Sequence, residues 1–150
     1  MKLDLSNLDI TTIPPEIGLL TGLVELDLSG NKIEELPEEI EKLENLEKLN
    51  LTGNLITSLP KPISKMKRLK VLDVGENRLT ALPDDIGDLV SLKQLWIAGN
   101  NLSDLPKSMK HLENIRYLNL VGNEFVTIPN VLSEMPNLGK NYLVDDFVQD

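Results

Sequence analysis

LVELDLSGNKIEELPEEIEKLEN, residues 23–45, runs directly into LEKLNLTGNLITSLPKPISKMKR, residues 46–68. The same frame returns three more times: LKVLDVGENRLTALPDDIGDLVS from Leu69, LKQLWIAGNNLSDLPKSMKHLEN from Leu92 and IRYLNLVGNEFVTIPNVLSEMPN from Ile115. The period is 23 residues with no insertion, and a shorter copy occupies residues 1–22. A fixed period of this size marks a solenoid, in which each unit is too small to bury its own apolar face and stacking completes the core. The chain thus reads as one domain of six units, 1–22, 23–45, 46–68, 69–91, 92–114 and 115–137, with 138–150 as a C-terminal cap or tail.

Each unit opens on an alternating segment such as Leu26-Asp27-Leu28. Period 2 places the two leucines on one face of a strand and the aspartate on the other. A turn with Gly30 and Asn31 follows, two residues tolerant of unusual backbone angles. Ile33, Leu36, Ile40 and Leu43 are then spaced to face inward from a return segment. Pro37 removes a donor and keeps Leu36 extended, so the return is not one long helix. A short helical turn after the proline is expected. Asn31, Asn54, Asn77, Asn100 and Asn123 recur at one position. An amide kept at every repeat suggests a buried ladder that satisfies backbone groups.

These five copies resemble the leucine-rich-repeat family, in its intracellular form with a Leu-Pro step per repeat, found in Ras-pathway scaffolds, adhesion-complex proteins and bacterial proteins. The resemblance implies an α/β fold. It is a right-handed leucine-rich-repeat solenoid, or horseshoe, with a concave parallel β-sheet and short helical or irregular convex segments. It also implies a non-catalytic module that binds a protein partner, as a scaffold or adaptor in intracellular signalling. Two further expectations stand beside that one: a recruiting, regulatory or bacterial effector-like protein acting on an enzyme or small GTPase, and a self-assembling structural solenoid.

The repeat register selects the residues that face a partner. Trp96 occupies the place held by Asp27, Asn50, Asp73 and Asn119 in other copies. Core positions flank it, so its side chain points out of the concave sheet. Two residues earlier on their strands stand Lys48, Val71, Gln94 and Tyr117. Tyr117 is expected one strand over and one step along, roughly 8 Å from Trp96. Arg116, with Lys70 and Lys93, rims this half. Aromatic residues beside an arginine are typical of interface anchors. The partner surface is therefore expected to comprise Trp96, Tyr117, Asp73, Asn119, Gln94, Val71, Asn50, Lys48, Asp27 and Arg116. The competing reading has the tail, through Tyr142, Leu143, Phe147 and Val148, folding back over the patch.

Charge narrows the classes. The chain carries a net charge of −9, which argues against nucleic acid and anionic membrane surfaces. Residues 23–45 are net −6 and residues 46–68 net +4, mostly on the convex return. Such runs read as solvated faces paired between repeats, with a basic spot for an acidic partner as the sharper alternative. No 18-residue apolar run points to membrane insertion. Cysteine is absent, and no signal segment is evident, which suggests a cytoplasmic, reducing setting. The sequons Asn50-Leu51-Thr52 and Asn101-Leu102-Ser103 then read as chance matches. The single histidine, His111, has no nucleophile or acid in register with it, and no phosphate loop or calcium loop is present. No catalysis, cofactor or metal is expected. At the N-terminal end Leu8 replaces the ladder asparagine, near Ile10 and Ile13, and weak self-association through that strand edge is expected.

Overall fold

In the computed structural model, which describes residues 1–146 and 148, seven parallel strands form one open sheet in chain order. They are β1 (Lys2–Asp4), β2 (Glu25–Asp27), β3 (Lys48–Asn50), β4 (Val71–Asp73), β5 (Gln94–Trp96), β6 (Tyr117–Asn119) and β7 (Tyr142–Leu143). From β1 to β6 every partner is 23 residues away, as in Asp27↔Asn50 and Asp73↔Trp96. The solenoid expected from the repeat is the observed architecture.

Each strand's middle leucine, from Leu26 to Leu118, is essentially inaccessible. So are the residues that follow the strands: Leu28, Leu51, Val74, Ile97 and Leu120. The return segments contribute Ile33, Leu36, Ile40 and Leu43 and their equivalents, making one continuous strip of core. Burying aliphatic side chains of this size is worth about 1.5–3 kcal/mol each. No single repeat collects enough of them to fold alone.

The convex side is built of 3-10 turns. Glu38–Lys42, Lys61–Lys65, Lys107–His111 and Asn130–Glu134 each begin directly after an extended proline. The proline carbonyl accepts the first turn's bond, as in Ile40 N–H to Pro37 O at 3.1 Å. The repeat leaves room for only five residues before the chain must re-enter the sheet, so no α-helix develops. Charge pairing between repeats is present. Lys70 lies 3.3 Å from Glu47, and Lys65 lies 3.3 Å from Glu41, the latter without hydrogen-bond alignment. The Lys70–Glu47 pair is solvent-accessible and contributes little, while the Glu41 oxygen facing Lys65 is itself buried.

The asparagine ladder is present and buried. Asn54 Oδ1 accepts from Ile33 N at 3.1 Å, while its Nδ2 donates to Leu28 O and Leu51 O at 2.9 and 3.0 Å. Asn77, Asn100 and Asn123 repeat this arrangement. Each amide therefore joins two successive repeats. Asn31 ends the ladder by accepting from both Leu8 N and Ile10 N.

The tail corrects the expectation of six turns. Residues after Leu138 add a seventh strand, paired Leu118↔Tyr142 and Asn119↔Leu143. The offset is 24 residues, one more than the repeat period. Tyr142 consequently packs against the end of the core, and Asp145 accepts from Gly122 N at 2.9 Å. Among the described residues, the tail extends the sheet and does not lie over the concave face. The expectation for Phe147 falls outside the described residues.

Candidate functional site

Across the concave face, the third residue of β1–β4 and of β6 performs one local task. Asp27 Oδ1 accepts from Ser29 N at 2.9 Å and from Ser29 Oγ at 2.6 Å. Asn50 does the same with Thr52 N and Oγ1. Asp4 binds Ser6 twice, Asp73 accepts from Gly75 N, and Asn119 from Val121 N. These side chains brace the chain as it leaves the strand, a familiar use of Asp and Asn. The bonds to Ser6 hold the Asp4 carboxyl below the usual aspartate range. The Asn50-Leu51-Thr52 motif is thus a turn brace on the sheet.

Trp96 interrupts that series. An indole offers no acceptor, and among the described residues Ala98 N has no side-chain partner of the kind its equivalents have. A turn bond is given up, and in its place stands a half-buried indole on the open face. Departures from a local rule of this kind tend to sit at functional positions. The indole is held: its Nε1 donates to Gln94 Oε1 at 3.1 Å. The Tyr117 ring lies with its centroid 4.3 Å away, tilted by 38°. The two side chains lean together across the strands, closer than the 8 Å expected from backbone register.

The other expected residues divide into groups. Asp73 and Asn119 flank Trp96 in the same row on β4 and β6. Val71 and Gln94 lie in the row before it. Asp27, Lys48 and Asn50 belong to a separate depression of about 280 Å³ at the other end, shared with Lys2, Asp4 and Glu25. Arg116 is exposed at the entry to β6, and its Nη1 faces the carbonyls of Glu113 and Ile115 at 3.4 and 3.3 Å. It lies outside the aromatic pair.

Two contributions were misread or missed from sequence. Leu143, considered as part of a tail folding over the patch, instead stands in register with Asn119 and is 48% exposed on the concave face. Glu76 adopts φ 51 where the equivalent turns carry Gly30, Gly53, Gly99 and Gly122, also at positive φ. The signal for Glu76 was legible, since Gly75 stands one place early in that repeat alone. His111 is exposed in its convex turn. Among the described residues, no group of acids and histidine is arranged to hold a metal ion. No helix there is long and apolar enough to cross a membrane.

A family model for the leucine rich repeat matches residues 1–56, 44–102 and 67–125. No curated protein matches the chain. Among solved structures, a leucine-rich-repeat protein of Leptospira interrogans is 32% identical, with a TM-score of 0.76, over 99% of this chain and 43% of its own. The plant peptide hormone receptor RGFR1, solved in complex with RGF2, is 30% identical, with a TM-score of 0.84, over 96% of this chain and 24% of its own. An internalin of Listeria monocytogenes shares the fold at 22% identity and a TM-score of 0.73, over 93% of this chain and 39% of its own. The chain spans less than half the length of each of these proteins.

Proposed function

The chain belongs to the leucine-rich-repeat family, and from that premise we propose that it binds a protein partner on its concave face, as a scaffold or adaptor without chemistry of its own. The observation that carries this reading is Trp96. It replaces a bracing Asp or Asn, serves no turn, and is stacked on Tyr117 with Gln94 fixing its Nε1. A large aromatic held in place before binding loses little entropy on contact, which is why such residues anchor interfaces. The plant receptor solved with RGF2 adds support by likeness for a peptide-like partner segment. A signalling role in a reducing compartment is the setting that the cysteine-free sequence favours.

The test is capture from the source extract with the wild-type chain and a Trp96→Ala/Tyr117→Ala variant whose circular dichroism is unchanged. A protein retained by the first and lost by the second supports the reading. Equal retention by both removes the aromatic pair from the interface.

A second reading rests on the other end of the sheet. The outer edge of β1 has no neighbour among the described residues. Leu8 beside it is 58% exposed, with Leu19 and Leu20 also exposed. An unpaired strand edge with exposed leucines at the same end of the molecule favours weak self-association. A scattering mass of one chain at high micromolar concentration would remove it.

A further inference from the structure

Bracing explains why β1–β4 and β6 end on Asp or Asn, but not which. Asn50 and Asn119 form the same bonds as Asp27 and Asp73. The negative charge at Asp73 is therefore not required by its turn. The brace uses Oδ1 alone. Among the described residues Asp73 forms no ion pair, and its Oδ2 has no hydrogen-bond partner. With one oxygen pinned by Gly75 N at 3.0 Å, the carboxylate is pre-oriented.

Asp73 is the register partner of Trp96, so the two side chains rise side by side about 5 Å apart. Tyr117 packs on Trp96 from β6, and Asp73 on β4 flanks Trp96 on the other side. The small residues Gly75 and Ala98 in the next row add no bulk there. Glu76 stands in the turn three residues after Asp73. Its carboxylate lies against Gly99, it is exposed, and no cation pairs with it among the described residues. It reaches that place from a left-handed backbone that side chains rarely adopt. The nearby rim cations do not neutralise this corner. Lys70 is paired with Glu47, Arg116 faces main-chain carbonyls, and among the described residues neither Lys93 nor Arg78 forms an ion pair with Asp73 or Glu76.

We propose that this corner receives a cationic side chain, arginine or lysine, from the partner's docked segment, an assignment that rests on the concave-face reading above. The cation lies on the open face of the Trp96 indole, the best of the aromatic faces for this contact. Asp73 Oδ2 takes its hydrogen bonds, and Glu76 adds charge from the turn. Arginine is the better fit, because its planar guanidinium stacks on the ring while its edge meets a carboxylate. The net charge of −9 draws a basic segment toward the molecule at long range.

The experiment pans a phage library of random dodecapeptides against the whole immobilised chain and then measures the selected peptides, fluorescently labelled, by anisotropy. Wild type is compared with Asp73→Asn, Glu76→Gln and Trp96→Asn. Asp73→Asn keeps the brace, as Asn50 and Asn119 do, and removes only the charge. The expected peptides carry arginine or lysine and alter the emission of Trp96, the only tryptophan in the chain. They bind Asp73→Asn roughly tenfold more weakly, and weaken further in salt. Peptides that need Trp96 but lack a cation, or that bind Asp73→Asn as tightly as wild type, overturn the cationic assignment and leave the concave-face reading standing. A selection that yields only peptides indifferent to Trp96→Asn, or no binding peptide, overturns both.

Discussion

The rings of Trp96 and Tyr117, from adjacent strands, lie with centroids 4.3 Å apart and planes tilted by 38°. The contact is between two partly accessible side chains, so it contributes to the surface more than to the core. Meanwhile Trp96 leaves Ala98 N without the brace its equivalents have. Restoring an acceptor should therefore strengthen the fold. Trp96→Asn is expected to raise unfolding stability by about 0.5–1 kcal/mol in urea denaturation, while removing partner binding. A loss of more than that amount would show that Trp96 is part of the framework.

The ladder asparagines should behave in the opposite way. Asn77 is buried and joins Ile56 N to Leu51 O, Val74 O and Gly75 O. Asn77→Ala strands several buried main-chain groups at once. A destabilisation of about 2–4 kcal/mol is expected, read as a lower urea midpoint. An unchanged midpoint would mean that water replaces the amide without penalty.

Glu76 sets stability against function at one residue. Its φ of 51 falls where other repeats use glycine. Glu76→Gly should gain about 0.5–1 kcal/mol by releasing that strain. Gly99→Ala should lose stability, since φ there is +69 and an added Cβ would run into the Glu76 carboxylate. Thermal unfolding of the two variants checks both signs.

The Asp4 carboxyl should titrate below the usual aspartate value near 3.8, because Ser6 donates both its hydroxyl and its backbone N–H to it. A depressed carboxyl stabilises the fold above its unfolded value, and that contribution is lost as pH falls through the folded one. Ser6→Ala removes the hydroxyl bond, which is the larger cause. Carbon-detected NMR titration should then show the Asp4 value moving up toward normal. No movement would place the cause elsewhere.

The fold was legible because its period is unbroken. Leu26, Leu28 and Asn31 recur at 23-residue steps, and that spacing alone assigns strand, turn and ladder. The outward direction of Trp96 followed from the alternation around it. The seventh strand was not legible because the tail slips to a 24-residue offset and carries no ladder asparagine, so Leu143 was read as folding over the face and not as joining the sheet. The bracing role of Asp27 and Asn50 was written in the Asp-x-Ser and Asn-x-Thr spacing, but the same residues also fit a polar binding face. Only hydrogen-bond geometry separates those roles. The closeness of Trp96 and Tyr117 depends on side-chain rotation, which strand register does not fix.

A protein partner is proposed to dock on the Trp96–Tyr117 end of the concave sheet. The most direct test is calorimetric titration of the captured partner into the wild-type chain and into Trp96→Asn. Trp96→Asn should be equally or more stable, and its affinity should fall by at least roughly 30-fold, the loss expected of an interface anchor. Unchanged affinity with intact folding would contradict that docking, and would move the binding surface to the exposed β1 edge or the charged convex returns.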